Sequence, residues 1–117
     1  AKQNIEVTLK AGFMGTFAVF LGATPEGGNS HFGLTITPTT WEIRSNNAWQ
    51  GNGSYTFSTT VDSTISITNT NGVWTCKVNG VSIGSSYNLG DNLVPYAGFY
   101  MATTDNTKLL LDKFRDY

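Results

Sequence analysis

The chain has 117 residues, the length of one ordinary domain, and is 39% apolar and only 13% charged, with a net charge of −1. Its seven basic residues are scattered from Lys2 to Arg115, so no concentrated basic face exists to neutralise nucleic-acid phosphates. The longest apolar runs, such as 17–21, are far too short to span a bilayer as a helix, so neither nucleic-acid binding nor membrane insertion is expected.

What replaces charge is uncharged polarity: 17 Thr, 11 Asn and 9 Ser, alongside 13 Gly. Threonine suits strands because its branched side chain packs well on a pleated surface. Glycine and asparagine supply the positive-φ turns between them. The start, Ala1-Lys2-Gln3-Asn4, passes directly into strand pattern with no signal-peptide character, and the absent initiator Met points to a processed chain or an excised domain.

No stretch has helical periodicity, whereas period-two segments recur about every ten residues between Gly, Asn, Pro or Asp. In chain order, strands are predicted at 4–10, 13–22, 31–37, 40–44, 54–60, 64–70, 73–79, 81–85, 95–103 and 108–116. Alternation turns Phe13, Phe17, Val19 and Leu21 to one face and Met14, Thr16, Ala18 and Phe20 to the other. Phe32, Leu34 and Ile36 point inward, as do Trp41 with Ile43 and Ile65 with Ile67. Trp74, Cys76 and Val78 form a further inward set, which makes the lone cysteine a small core residue and leaves it without a disulfide partner. Asn71-Gly72 and Asn79-Gly80 are tight-hairpin signals, so 64–70, 73–79 and 81–85 are expected to form a meander. The first strand is expected beside the last. No repeat or linker interrupts the pattern, and 1–117 reads as a single unit.

The second half carries a resemblance. Trp74-Thr75-Cys76-Lys77-Val78-Asn79-Gly80-Val81-Ser82-Ile83 is similar to the strand–turn–strand of concanavalin A-like and laminin-G-like sandwiches, in which a strand opening on Trp ends in a Val-Asn-Gly turn. Ala97-Gly98-Phe99-Tyr100 resembles the strand that follows there, and Leu111-Asp112-Lys113-Phe114-Arg115 the closing strand. The likeness covers about 64–116 and implies an all-β, two-sheet antiparallel jelly-roll sandwich. Such a fold often serves as a lectin or carbohydrate-binding module, and sometimes as a protein-binding domain or a glucanase.

Catalysis is not expected. The eight acids include no Glu-x-Asp-x-x-Glu arrangement of the kind that sets two carboxylates about 5 to 9 Å apart for glycoside hydrolysis. His31 alone could serve a Ser-His-Asp system, and one His with one Cys does not make a zinc site. Asp91-Asn92 and Asp105-Asn106 put oxygen ligands in loops, where calcium is one reading and turn capping by the side chains the preferred other. No cofactor is therefore expected.

The most informative stretch is Ser45-Asn46-Asn47-Ala48-Trp49-Gln50-Gly51-Asn52-Gly53, read as a loop between two strands. Aromatic faces stack on the C–H surfaces of sugars, while planar amides address their hydroxyls. Trp49 flanked by Asn46, Asn47, Gln50 and Asn52 offers both, although a Trp folded back over the sheet edge would produce the same sequence. On the outward face, His31, Glu42, Arg44, Tyr96 and Tyr100 could line a shallow groove, or be ordinary strand surface. The expectation is a non-catalytic carbohydrate-binding domain whose partner is a glycan surface. It would belong to a larger secreted, cell-surface or phage tail or baseplate protein, and so be extracellular or virion-associated. The alternative is a structural or protein-interaction module, which an exposed apolar patch around Phe20 would favour.

Overall fold

Ten strands account for the regular structure of the computed structural model, which describes residues 4–22, 32–45, 48–88, 96–102 and 111–116. They divide between two compact units, each holding one five-stranded antiparallel sheet. Among the described residues there is no helix.

The first unit contains β1 (Ile5–Leu9), β6 (Ser63–Thr70), β7 (Val73–Val78), β8 (Val81–Asn88) and β10 (Leu111–Asp116), in the order β10-β1-β6-β7-β8. The meander β6-β7-β8 and the pairing of the first strand with the last are as the sequence predicts. Both hairpin turns have their two central residues at positive φ: Asn71 at 52° and Gly72 at 85°, then Asn79 at 50° and Gly80 at 82°. A turn of this hand matches the twist of the strands it joins, and asparagine and glycine reach it at least cost. Asn79 also ties its turn to β6. Its amide donates to the Thr64 carbonyl at 2.7 Å, and its side-chain oxygen accepts from the Thr64 amide at 2.8 Å. Asn4 and Asn69 continue the theme: the Asn4 side chain accepts from the Asn69 amide, whose own side chain accepts from Gly72. The side-chain oxygen of buried Asn4 thereby has a partner, as buried polar atoms generally do.

Alternation along these strands buries Ile5, Val7, Leu9, Ile65, Ile67, Trp74, Cys76, Val78 and Ile83. Trp74 and Cys76 have no exposed surface at all. Removal from water pushes the Cys76 thiol up from 9.0 to about 12, so the residue is an inert hydrophobe, as its place between Trp74 and Val78 implies. Outside the strands, Phe13 meets Phe57 edge-on with ring centroids 5.3 Å apart.

The second unit contains β2 (Thr16–Gly22), β3 (Phe32–Ile36), β4 (Thr40–Ser45), β5 (Ala48–Ser54) and β9 (Tyr96–Ala102), in the order β5-β4-β3-β2-β9. Among the described residues its buried hydrophobic side chains are Phe17, Val19, Phe32, Leu34, Ile36 and Ile43, in the predicted phase. Phe99 stacks on Phe17 at 6.0 Å while staying 40% exposed on the edge strand.

Three expectations are corrected here. The predicted loop at 45–53 is largely strand, because β5 runs from Ala48 to Ser54 in register with β4. The strand predicted at 54–60 is absent: only Ser54 of that stretch belongs to a strand, and the Ser58 hydroxyl accepts from the amides of Thr60 and Val61 in a turn. Trp41 is half-buried rather than core, even though Ile43 two residues on is fully buried. The reason is position, since Trp41 faces an edge strand whose opposing residue, Gly53, has no side chain to pack against it.

Candidate carbohydrate-binding face

The β4–β5 hairpin lies at one edge of its sheet and brings together most of the described candidate residues. From its open end, Thr40 pairs with Ser54, Trp41 with Gly53, Glu42 with Asn52 and Ile43 with Gly51. A bulge follows, and Arg44 then stands opposite Trp49, leaving Gln50 as the extra residue of β5. Without that bulge Trp49 would fall out of phase with Asn52. With it, Thr40, Glu42, Arg44, Ser54, Asn52 and Trp49 share one face, opposite to buried Ile43. The row continues into β3, where Thr35 pairs with Glu42 and Gly33 with Arg44.

Trp49 is 57% exposed. The indole thus stands largely in water on a strand whose backbone is paired with β4. Across from it, Glu42 and Arg44 form an ion pair through a single carboxylate oxygen. Glu42 Oε1 accepts from Arg44 Nε at 3.0 Å and from a terminal guanidinium nitrogen at 2.8 Å. Both side chains are substantially exposed, so the pair adds at most about 1 kcal/mol to stability. Its value is orientation, because it holds a planar donor and an acceptor side by side beside the indole. Toward the open end, an open depression of about 510 Å³ is lined by Thr40, Trp41, Glu42, Asn52, Gly53 and Ser54. From Arg44 to Thr40 the strip runs four residues, roughly 13 Å of strand. Along it lie one apolar platform, one fixed donor–acceptor pair, an amide and two hydroxyls.

The other candidates fare differently. Gln50 sits in the bulge, half-buried. His31, Asn46 and Asn47 lie outside the described residues, as do the loop pairs Asp91-Asn92 and Asp105-Asn106 considered for calcium. Tyr100 pairs with Ala18 and Tyr96 with Gly22 on β9, which is the opposite edge of the sheet from β5. The register Tyr100–Ala18–Thr35–Glu42–Asn52 nevertheless runs across the whole sheet, so Tyr100 stands in the same cross-strand row as Glu42, three strands away. Phe20 is half-buried and stands between Gly33 and Gly98 in the sheet. Sequence reasoning missed Thr40, Trp41, Gly53 and Ser54. The cross-strand pairs Thr40–Ser54 and Trp41–Gly53 would have revealed them, had 48–54 been read as a strand.

No family model matches the chain, and no curated protein does. Solved structures do. A tetrameric galectin from the ball sponge Cinachyrella sp. superimposes with a TM-score of 0.69 over 99% of this chain and 91% of its own, at 14% identity. Chicken galectin 2 gives 0.66 over 98% and 89%, at 10% identity. The fold is that of the galectins. The expected class, an all-β jelly roll of two antiparallel sheets, is therefore the fold of this chain. With a seventh or less of the residues shared, the likeness lies in backbone and not in side chains.

Proposed function

We propose that the protein is a non-catalytic carbohydrate-binding domain that holds a glycan along the outward face of β4–β5. The observation that carries this is the exposed Trp49 indole set in register opposite the Arg44–Glu42 pair. The sugar ring lays its C–H face on the indole. Arg44 donates to its hydroxyls, Glu42 accepts from them, and Asn52 does both. Each such bond replaces one to water, so it adds only about 1 kcal/mol and mainly selects hydroxyl geometry. The galectin fold supports the lectin reading.

On this reading no metal or other cofactor takes part, residues 1–117 act as one folding unit, and neither nucleic acid nor membrane is a partner. The domain would belong to a larger secreted, cell-surface or phage tail assembly and work outside the cell or on a virion, where a low-charge, hydroxyl-rich surface is at home. The test is a glycan array probed with the domain in the presence of a chelator, alongside Arg44→Ala. Retained binding by the wild type and its loss in the variant is the expected result. An empty array would give the lead to the second reading, a protein-interaction module, for which exposed Phe99 on edge strand β9 offers a contact point.

A further inference from the structure

The strand that presents Trp49 is, by composition, a poor strand. Residues 51–53 are Gly-Asn-Gly, and β5 is an edge, hydrogen-bonded to the sheet on one side only. Each glycine costs a strand roughly 0.5–1 kcal/mol in chain entropy and leaves nothing to pack. The bulge at Gln50 adds a second weakness, because a hairpin that already accommodates one extra residue has neighbouring registers close in energy. A slip of one residue would turn Trp49 and Asn52 to the wrong face.

Trp41 opposes that slip. It stands directly across from Gly53, on the face away from Trp49 and Asn52. A Cβ built on Gly53 would lie 2.7 Å from Trp41 Cζ2 and 2.8 Å from both Cε2 and Nε1, nearer than such carbons approach one another. The indole therefore fills the place of the side chain that Gly53 lacks and covers the backbone of β5. Aromatic cover of an edge glycine is a known way to hold a weak strand. It also discriminates between registers. One step in either direction would bring Asn52 or Ser54 opposite Trp41, and the Cβ of either would meet the ring.

We propose that Trp41 is a positioning residue for the carbohydrate-binding face: its indole, seated on Gly53, pins β5 to β4 in the register that sets Asn52 opposite Glu42 and Trp49 opposite Arg44. The functional consequence rests on the carbohydrate reading, but the pinning is readable without a sugar. The experiment compares wild type with Trp41→Leu, Trp41→Phe and Gly53→Ala under conditions where all remain folded. Amide hydrogen exchange is followed for 48–54 and for 63–88. Affinity is measured for lactose, cellobiose, maltose and chitobiose by intrinsic fluorescence. Trp41→Leu and Gly53→Ala should speed exchange across 48–54, leave 63–88 unchanged, and weaken whichever saccharide binds by about tenfold, while Trp41→Phe restores most of both. Unchanged exchange in 48–54 overturns the proposal. In that case, a loss of affinity makes Trp41 a sugar contact, and a lower denaturation midpoint alone makes it packing. If none of the four saccharides binds the wild type, it is the carbohydrate reading that suffers, and the exchange arm alone decides the pinning.

Discussion

Strands β7 and β5 each carry one tryptophan, and they are built from opposite materials. In the first, Val-Trp-Thr-Cys-Lys-Val is followed by Asn-Gly, and every second side chain is buried. In the second, Ala-Trp-Gln-Gly-Asn-Gly-Ser has no β-branched residue, no fully buried side chain and a bulge. Trp74 is wholly enclosed, whereas Trp49 is more than half in water. The difference separates two uses of one side chain. Enclosed, the indole supplies apolar burial to the fold; exposed on a fixed strand, it leaves that surface in water.

The sharpest way to break this comparison is to truncate both residues. Trp74→Ala should lose about 3–5 kcal/mol in urea denaturation, through lost burial and the cavity left behind. Trp49→Ala, with little burial to lose, should stay within about 0.5 kcal/mol of wild type in the same assay. Comparable losses would mean that Trp49 packs as a core residue does. Circular dichroism and tryptophan fluorescence should report one coincident transition in each protein, since 1–117 is read as one unit.

Smaller effects sharpen the contrast at the β7–β8 turn. Gly80 has φ of +82° with nothing near its missing Cβ, so Gly80→Ala meets no clash and should cost only backbone strain, about 1–2 kcal/mol by the same denaturation assay. A larger loss would reveal a contact made by the glycine itself. High pH probes the core beside Trp74. The folded Cys76 thiol, at about 12 against an ordinary 9.0, holds its proton more tightly than the unfolded chain does. Its contribution is whole below pH 9 and is lost as pH rises from 9 toward 12, by up to about 1.4 kcal/mol per pH unit. Cys76→Ala should show a shallower decline over that range, and an identical decline would assign the effect to other groups.

The same contrast explains how much of the molecule was legible in its sequence. Strands β1, β3, β6 and β7 were readable because their alternation is strict and their inward residues are branched or aromatic, and Asn71-Gly72 and Asn79-Gly80 fixed the meander between them. Trp49 was recognisable as a candidate from its amide-rich surroundings. Its strand was not, because Gly51 and Gly53 gave no inward side chains and the bulge at Gln50 broke the period of two. What holds β5 in place lies on its neighbour, in Trp41, and a cross-strand partner is invisible to any reading of one strand at a time. Trp41 was assigned to the core by its phase with Ile43. Phase gives the face, but distance from the sheet edge decides the burial.

The central claim is that Trp49 is the platform on which a sugar rests. The most direct measurement is calorimetric titration of wild type, Trp49→Ala and Asn52→Ala with the glycan that the array returns. Removing a central aromatic anchor from a shallow site should take away on the order of 2 kcal/mol, roughly a thirtyfold loss of affinity, whereas Asn52→Ala should lose about fivefold for one amide. A Trp49→Ala protein that remains folded and binds the glycan with wild-type affinity would contradict the account and move the site off the β4–β5 face.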